Sequence, residues 1–202
     1  MAKPSWLQID PASGSGNGSI SNSASPHTGR VARTGTVTVT GGGVGVPATY
    51  KVTQTPKAEF ASFDNGAEMS APKGGGAVTV AGKTNSSKLT FKWQGEVADV
   101  VIPQSYQANG SSTNNGESIA DDPGATAEFA FSVEFTFPTN STIEEVERTL
   151  IVEANGGQSA QITIKQAAGD ATLSVNPTEI TIPQDGSAVS VQVKSNTSWT
   201  VS

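Results

Sequence analysis

The chain has 202 residues, room for about two domains. It has no cysteine, which excludes a disulfide framework, thiolate catalysis and zinc centres of the Cys/His kind. A net charge of −6 argues against bulk electrostatic binding to nucleic acid or an anionic membrane. Gly, Ser, Thr, Asn and Val are heavily used and helix-forming runs are missing, so the composition predicts many short strands with polar turns.

Taken in chain order, the first strand candidates are Trp6–Ile9, Gly35–Thr40 and Thr49–Thr55, with the hairpin loop GGGVGVP between the last two. AEFASFD (58–64) opens a new unit, followed by the turn-rich NGAEMSAPKGGG. AVTVAGK, KLTFKW and VADVVIP then read as strands. Residues 104–124 are poor in apolar side chains and read as a long polar insertion loop. AEFAFSVEFTF (127–137) is the strongest strand. Phe129, Phe131, Val133, Phe135 and Phe137 share one face, and Glu128, Ala130, Ser132, Glu134 and Thr136 share the other. RTLIVEA and QSAQITIKQ follow, then TLSVNPTEITIPQDGSAVSVQVKSNTSWTVS. No segment predicts a helix, and no apolar run approaches the roughly 20 residues that span a bilayer.

The chain repeats internally. VARTGTVTVTGGGVGVPATYKVTQTPKA aligns with VERTLIVEANGGQSAQITIKQAAG, matching Arg33 to Arg148 and Gln54 to Gln166. GGGAVTVAGKTNSSKLTF aligns with DGSAVSVQVKSNTSWTVS, with a one-residue slip before Leu89. Residues 1–57 therefore read as the back half of a repeat, 58–169 as a whole repeat carrying the 104–124 insertion, and 170–202 as a front half. Joined tail to head, the two halves make one domain.

That joined pattern resembles the BACON family of immunoglobulin-like domains, common in proteins of gut Bacteroidetes and their viruses. The resemblance rests on LSVNPTEITIP, SNTSW with Trp199, WLQIDPASGSGNG with Trp6, RTGTVTV with Arg33 and KVTQ with Gln54. The middle repeat departs from it, placing Leu89 or Phe91 and Trp93 where the family tryptophans fall. The resemblance implies an all-β fold of two BACON-like β-sandwich units, one of them split between the N- and C-terminal segments.

No catalytic, metal or cofactor site is expected. His27 is the one histidine and lies in a Gly-Ser-Pro-rich stretch, so neither a triad nor a thiol nucleophile is available. Glu117, Asp121 and Asp122 lack the regular oxygen-ligand spacing of a calcium loop. GGGVG and GSGNG lack the strand, helix and Lys-Ser/Thr of a phosphate cradle. The Asn-x-Ser/Thr sites at Asn17, Asn85, Asn109, Asn140 and Asn196 read as turn composition, because MAKPSWLQID has no secretory signal.

A half-sandwich buries too little surface to stand alone and leaves raw strand edges. The tail is therefore expected to pair with the head, either within one chain or between neighbours. The residues expected at that interface are Trp6, Leu7 and Ile9 from the head. From the tail they are Leu173, Val175, Ile180, Ile182, Val189, Val191, Val193, Trp199 and Val201. The functional expectation is a non-catalytic structural protein that assembles by strand exchange. The resemblance to domains of crAss-like Bacteroides phages implies a head-fibre or capsid-decoration component, made in the host cytoplasm and placed on the virion surface. Its partners would be itself and other capsid proteins, with no nucleic acid and no membrane. The alternative is a carbohydrate- or mucin-binding module meeting host glycans, with Tyr106 as the candidate exposed aromatic.

Overall fold

The computed structural model describes residues 3–202 and is all-β, with one single 3₁₀ turn at Pro123–Ala125. The head contains β1 (Leu7–Asp10), β2 (Ser21–Ala24), β3 (Arg33–Val39) and β4 (Ala48–Gln54). They form two separate antiparallel pairs, β1 with β2 and β3 with β4.

The middle repeat is a sandwich. Its strands are β5 (Ala61–Phe63), β6 (Glu68–Ala71), β7 (Gly76–Thr84), β8 (Leu89–Trp93), β9 (Ser105–Ala108), β10 (Ser111–Asn114), β11 (Phe129–Phe137), β12 (Val146–Ala154) and β13 (Ser159–Gln166). One sheet runs β10-β9-β11-β7-β5 and the other β6-β13-β12-β8. Every pairing is antiparallel except that of β6 with β13. The tail adds only β14 (Leu173–Asn176) and β15 (Gln192–Ser195), paired with each other.

The core lies between the two middle sheets. β11 supplies its period-two row, Phe129, Phe131, Val133, Phe135 and Phe137, all at most 8 % exposed. Against them stand Leu89 and Phe91 from β8, Leu150 and Val152 from β12, and Ile162 and Ile164 from β13. Phe91 meets Phe131 edge to face at 5.6 Å between ring centres, locking one sheet to the other.

Several expectations are corrected. Residues 104–124 are not a structureless loop: β9 and β10 form a hairpin on the edge of the five-stranded sheet. Within that hairpin only alternate residues, Tyr106, Ala108 and Thr113, turn inward, and beyond it Ile119 is the one large apolar residue buried, so the segment looks largely polar in sequence. Its turn is Asn109-Gly110, both at positive φ, a pairing that favours tight hairpins. VADVVIP forms no strand. Val100 alone is fully buried there, and its carbonyl accepts a hydrogen bond from Trp93 Nε1 at 2.7 Å. The turn-rich 65–76 stretch hides β6, and β2 lies in a segment too polar to read as a strand. Residues 199–202 take no strand conformation.

Tyr106 is the largest correction. It is 3 % exposed and packs edge to face on Phe91 at 5.0 Å, so it presents no surface to a glycan. Its side chain follows the inward register of β9. The hydroxyl is buried without a hydrogen-bond partner, and burial pushes its pKa up to about 12. The Leu89 backbone pulls slightly the other way without forming a hydrogen bond of ordinary geometry.

An orphaned buried hydroxyl costs free energy that a phenyl ring avoids. Tyr106→Phe is expected to stabilise the fold by about 1 kcal/mol in chemical denaturation at neutral pH. A phenol with a raised folded pKa contributes stability that is complete below the unfolded value of about 10 and lost as pH rises toward 12. The variant is therefore expected to lose less stability than the parent over that alkaline interval. A loss of stability in Tyr106→Phe at neutral pH would contradict the orphaned hydroxyl.

Candidate functional site

The repeats are joined by a recurring polar clasp built on one asparagine. Lys83-Thr84-Asn85-Ser86-Ser87 spans the end of β7, and Lys194-Ser195-Asn196-Thr197-Ser198 spans the end of β15. Asn85 is fully buried, so its carboxamide must find protein partners. Its Nδ2 donates to the carbonyls of Thr28 (3.1 Å) and Ala58 (3.2 Å), and its Oδ1 accepts from the Phe60 amide at 3.0 Å. One side chain thus ties the head, the connecting segment and β7 together.

Asn196 makes the same three bonds one repeat later. Its Nδ2 donates to Ser141 O and Asp170 O, both at 2.9 Å, and its Oδ1 accepts from the Thr172 amide at 2.8 Å. The neighbouring hydroxyls repeat too. Thr84 Oγ1 donates to Phe60 O at 2.6 Å and accepts from the Ser86 amide. Ser195 Oγ donates to Thr172 O at 2.9 Å and accepts from the Thr197 amide. Strand register agrees: Ala61 lies opposite Thr84 and Phe63 opposite Gly82, as Leu173 lies opposite Ser195 and Val175 opposite Val193.

The two joints differ in completeness. At the head joint, the 3₁₀ turn of the middle repeat closes over Asn85. Gly124 sits so near that a Cβ there would lie 2.1 Å from Asn85 O. The Arg30 and Val31 amides donate to Gly124 O (2.9 Å) and Ala125 O (3.1 Å), and the Arg30 guanidinium grips both Asp122 oxygens. Lys57 Nζ meets Glu128 at 3.0 Å. The tail joint has the Asn196 bonds and a Lys73–Asp170 pair at 2.7 Å, and beside them an open groove of about 510 Å³ between Asn140, Ser141 and Lys194.

A second repeated unit sits in the sheets. Arg148, almost wholly buried, donates to Gln166 Oε1 at 3.2 Å and to both oxygens of Asp99, and lies over the Phe137 ring. Gln166 Nε2 donates to Pro138 O and Pro72 O. In the head, Arg33 Nε donates to Gln54 Oε1 at 2.9 Å, the guanidinium lies 4.7 Å above Trp6, and Gln54 Nε2 donates to Ser25 O. Arg33 faces Gln54 directly, whereas Arg148 reaches Gln166 from two residues along the strand.

The residues expected at the exchange interface fall into two groups. Leu7 is 1 % exposed and already packed within the head, while Trp6, Ile9 and Val193 are half-buried. Leu173, Val175, Ile180, Ile182, Val189, Val191, Trp199 and Val201 are exposed, Trp199 at 51 % and Val201 at 86 %. Among the described residues no strand of the tail pairs with a strand of the head. The described residues hold no group of three or more His, Asp or Glu placed to bind a metal. His27 Nε2 lies 2.7 Å from the Val31 carbonyl, a local turn contact. Sequence reasoning missed Asn85 and Asn196, treating both as turn composition. The signal was their identical place in the aligned repeats.

Asn85→Ala removes three buried hydrogen bonds at once and is expected to destabilise the protein by about 3 kcal/mol, read by chemical denaturation, and to open the 55–60 link to protease. Asn196→Ala, in a more open site, is expected to cost about 1 kcal/mol. Equal effects would contradict the difference between the joints. The hydrogen bond from Arg148 holds the Asp99 carboxyl below the usual range, with its partial burial opposing. Such a carboxyl contributes stability that is present above its unfolded pKa of about 4 and lost as pH falls through the folded value. Asp99→Asn is expected to be less stable than the parent by about 1 kcal/mol or less at pH ~7, because Asp99 is half exposed, and to converge with it in acid melts.

No family model matches the sequence, and no curated protein matches it. Among solved structures, the chain is similar to an entity described as "NMR structure of the protein from Bacteroides thetaiotaomicron", at 18 % identity and a TM-score of 0.28, over 54 % of this chain and 85 % of that one.

Proposed function

We propose that the protein is a non-catalytic architectural component that assembles with copies of itself, the tail of one chain completing the head of another. The observation that carries this reading is the apolar row on residues 170–202. Its Leu173, Ile182, Trp199 and Val201 are more than half exposed, although the β14–β15 hairpin of this segment is clasped to the middle repeat through Asn196. An anchored hairpin with an uncovered apolar face is built for docking. The resemblance to BACON-type domains suggests the setting: a head fibre or capsid decoration of a Bacteroides phage, seated on other capsid proteins. The glycan-binding alternative loses its named aromatic, since Tyr106 lies in the core.

Light scattering across a dilution series tests the assembly reading. The full chain is expected to form dimers or larger species, and the chain lacking residues 170–202 is expected to remain a monomer. A full chain that is monomeric at every concentration overturns it.

A further inference from the structure

The geometry points to a specific product: residues 170–202 of one copy fold onto residues 3–54 of a second copy in the register of the middle repeat, and the result is an open head-to-tail string. This rests on the assembly reading above and adds its register and symmetry.

The middle repeat is the template, because its parts have counterparts divided between head and tail. β5, β6, β7 and β8 correspond to β14, residues 179–182, residues 187–195 and residues 199–202. β11, β12 and β13 correspond to β2, β3 and β4. Two anchors fix this correspondence without relying on sequence. Gln54 and Gln166 donate to Ser25 O and Pro138 O, and the two clasps grip Thr28 O and Ser141 O.

The register then follows. In the middle repeat β6 runs parallel to β13, with Ser70 opposite Lys165 and Ala71 opposite Gln166. Transferred, Thr53 lies opposite Thr181, Gln54 opposite Ile182 and Lys51 opposite Glu179 of the second copy. Gln166 Nε2 has a second acceptor in Pro72 O. Gln54 finds its own in Pro183 O of the second copy. Lys51 opposite Glu179 is a complementary charge pair across the new strand pair; in the middle repeat Glu68 faces Thr163 and meets Lys165 diagonally at 2.9 Å. The other middle sheet sets Phe135 opposite Val78 and Val133 opposite Val80. The transferred pairs are Asn22 with Val189 and Ile20 with Val191. Ile20, Val189 and Val191 are each about two-fifths exposed in the single chain, so the pairing covers apolar surface from both sides.

The position of the joints favours a second copy over closure within one chain. Thr84, next to the head clasp, pairs with Phe129 at one end of β7. Gly76 pairs with Phe137 at the other end, beside the tail joint. Nine residues of strand at about 3.3 Å each separate those ends by about 30 Å. Head and tail leave opposite poles, so the contact is heterologous and each addition exposes a new head and a new tail.

The absence of cysteine permits a direct test. Thr53→Cys and Thr181→Cys proteins are mixed and oxidised; Thr53→Cys with Glu179→Cys is the mismatch, two residues out of register and beyond the roughly 7 Å reach of a disulfide. The first mixture is expected to give disulfide-linked pairs of chains and the second none. The double variant T53C/T181C is expected to give a ladder of multimers on a non-reducing gel. Cross-linking through position 179 instead, in chains that still assemble by light scattering, overturns the register and leaves the assembly reading standing. A double variant that cross-links only as a monomer overturns the second copy in favour of closure within one chain. No cross-link and no assembly overturns both.

Discussion

A buried carboxamide cannot be left half-bonded, and the structure is organised around satisfying one. The Asn85 side chain is out of water and takes its three partners from the head, the connector and Phe60, the residue just before β5. Of these the head has little apolar packing of its own. The head's fully buried apolar residues are Leu7 and Val37. Its position against the middle repeat is therefore fixed by directional bonds, and those fix orientation more sharply than a greasy contact does. The Arg30–Asp122 fork and the Gly29 and Gly124 approaches add to the same surface.

The same logic runs one repeat further with less support. Asn196 reproduces the bonds of Asn85, but the groove beside it stays open and the hairpin it carries has an apolar face in water. A chain thus presents one closed sandwich flanked by separate two-stranded pairs in the head and the tail. Exposed strand edges are ordinarily a hazard that proteins blunt with charge or cover. In the proposed string Lys51 and Glu179 stand on the edges that meet, so there the charge would select a partner instead of repelling every one.

Much of the fold was legible because period two is a loud signal wherever a strand is amphipathic. β11, β12 and β13 were readable from their alternation, and the repeat alignment matched Arg33 with Arg148 and Gln54 with Gln166, which form like hydrogen bonds in the structure. What was not legible follows one physical pattern. β9 and β10 bury only small or polar residues apart from Tyr106, so hydropathy did not mark them, and Tyr106 was misread with them. VADVVIP showed the reverse: it is apolar enough for a strand, yet its backbone is used to cap Trp93. The clasp asparagines were visible in the alignment but carried no apolar signature. Their importance comes from burial, which only the packing of neighbouring repeats creates.

The placement of the joints has a mechanical consequence. Tension along the chain enters the middle repeat at β5, beside the head clasp, and leaves from the end of β13, beside the tail clasp. Both strands are pulled along their own length, and their ladder hydrogen bonds with β7, β12 and β6 run across that direction. Such a load must shear every bond of a ladder together, whereas a load at one corner peels them singly. The middle repeat therefore bears stretch as a cable does, with its yield point set by the short β5 ladder and the clasps, and the proposed string would inherit that response.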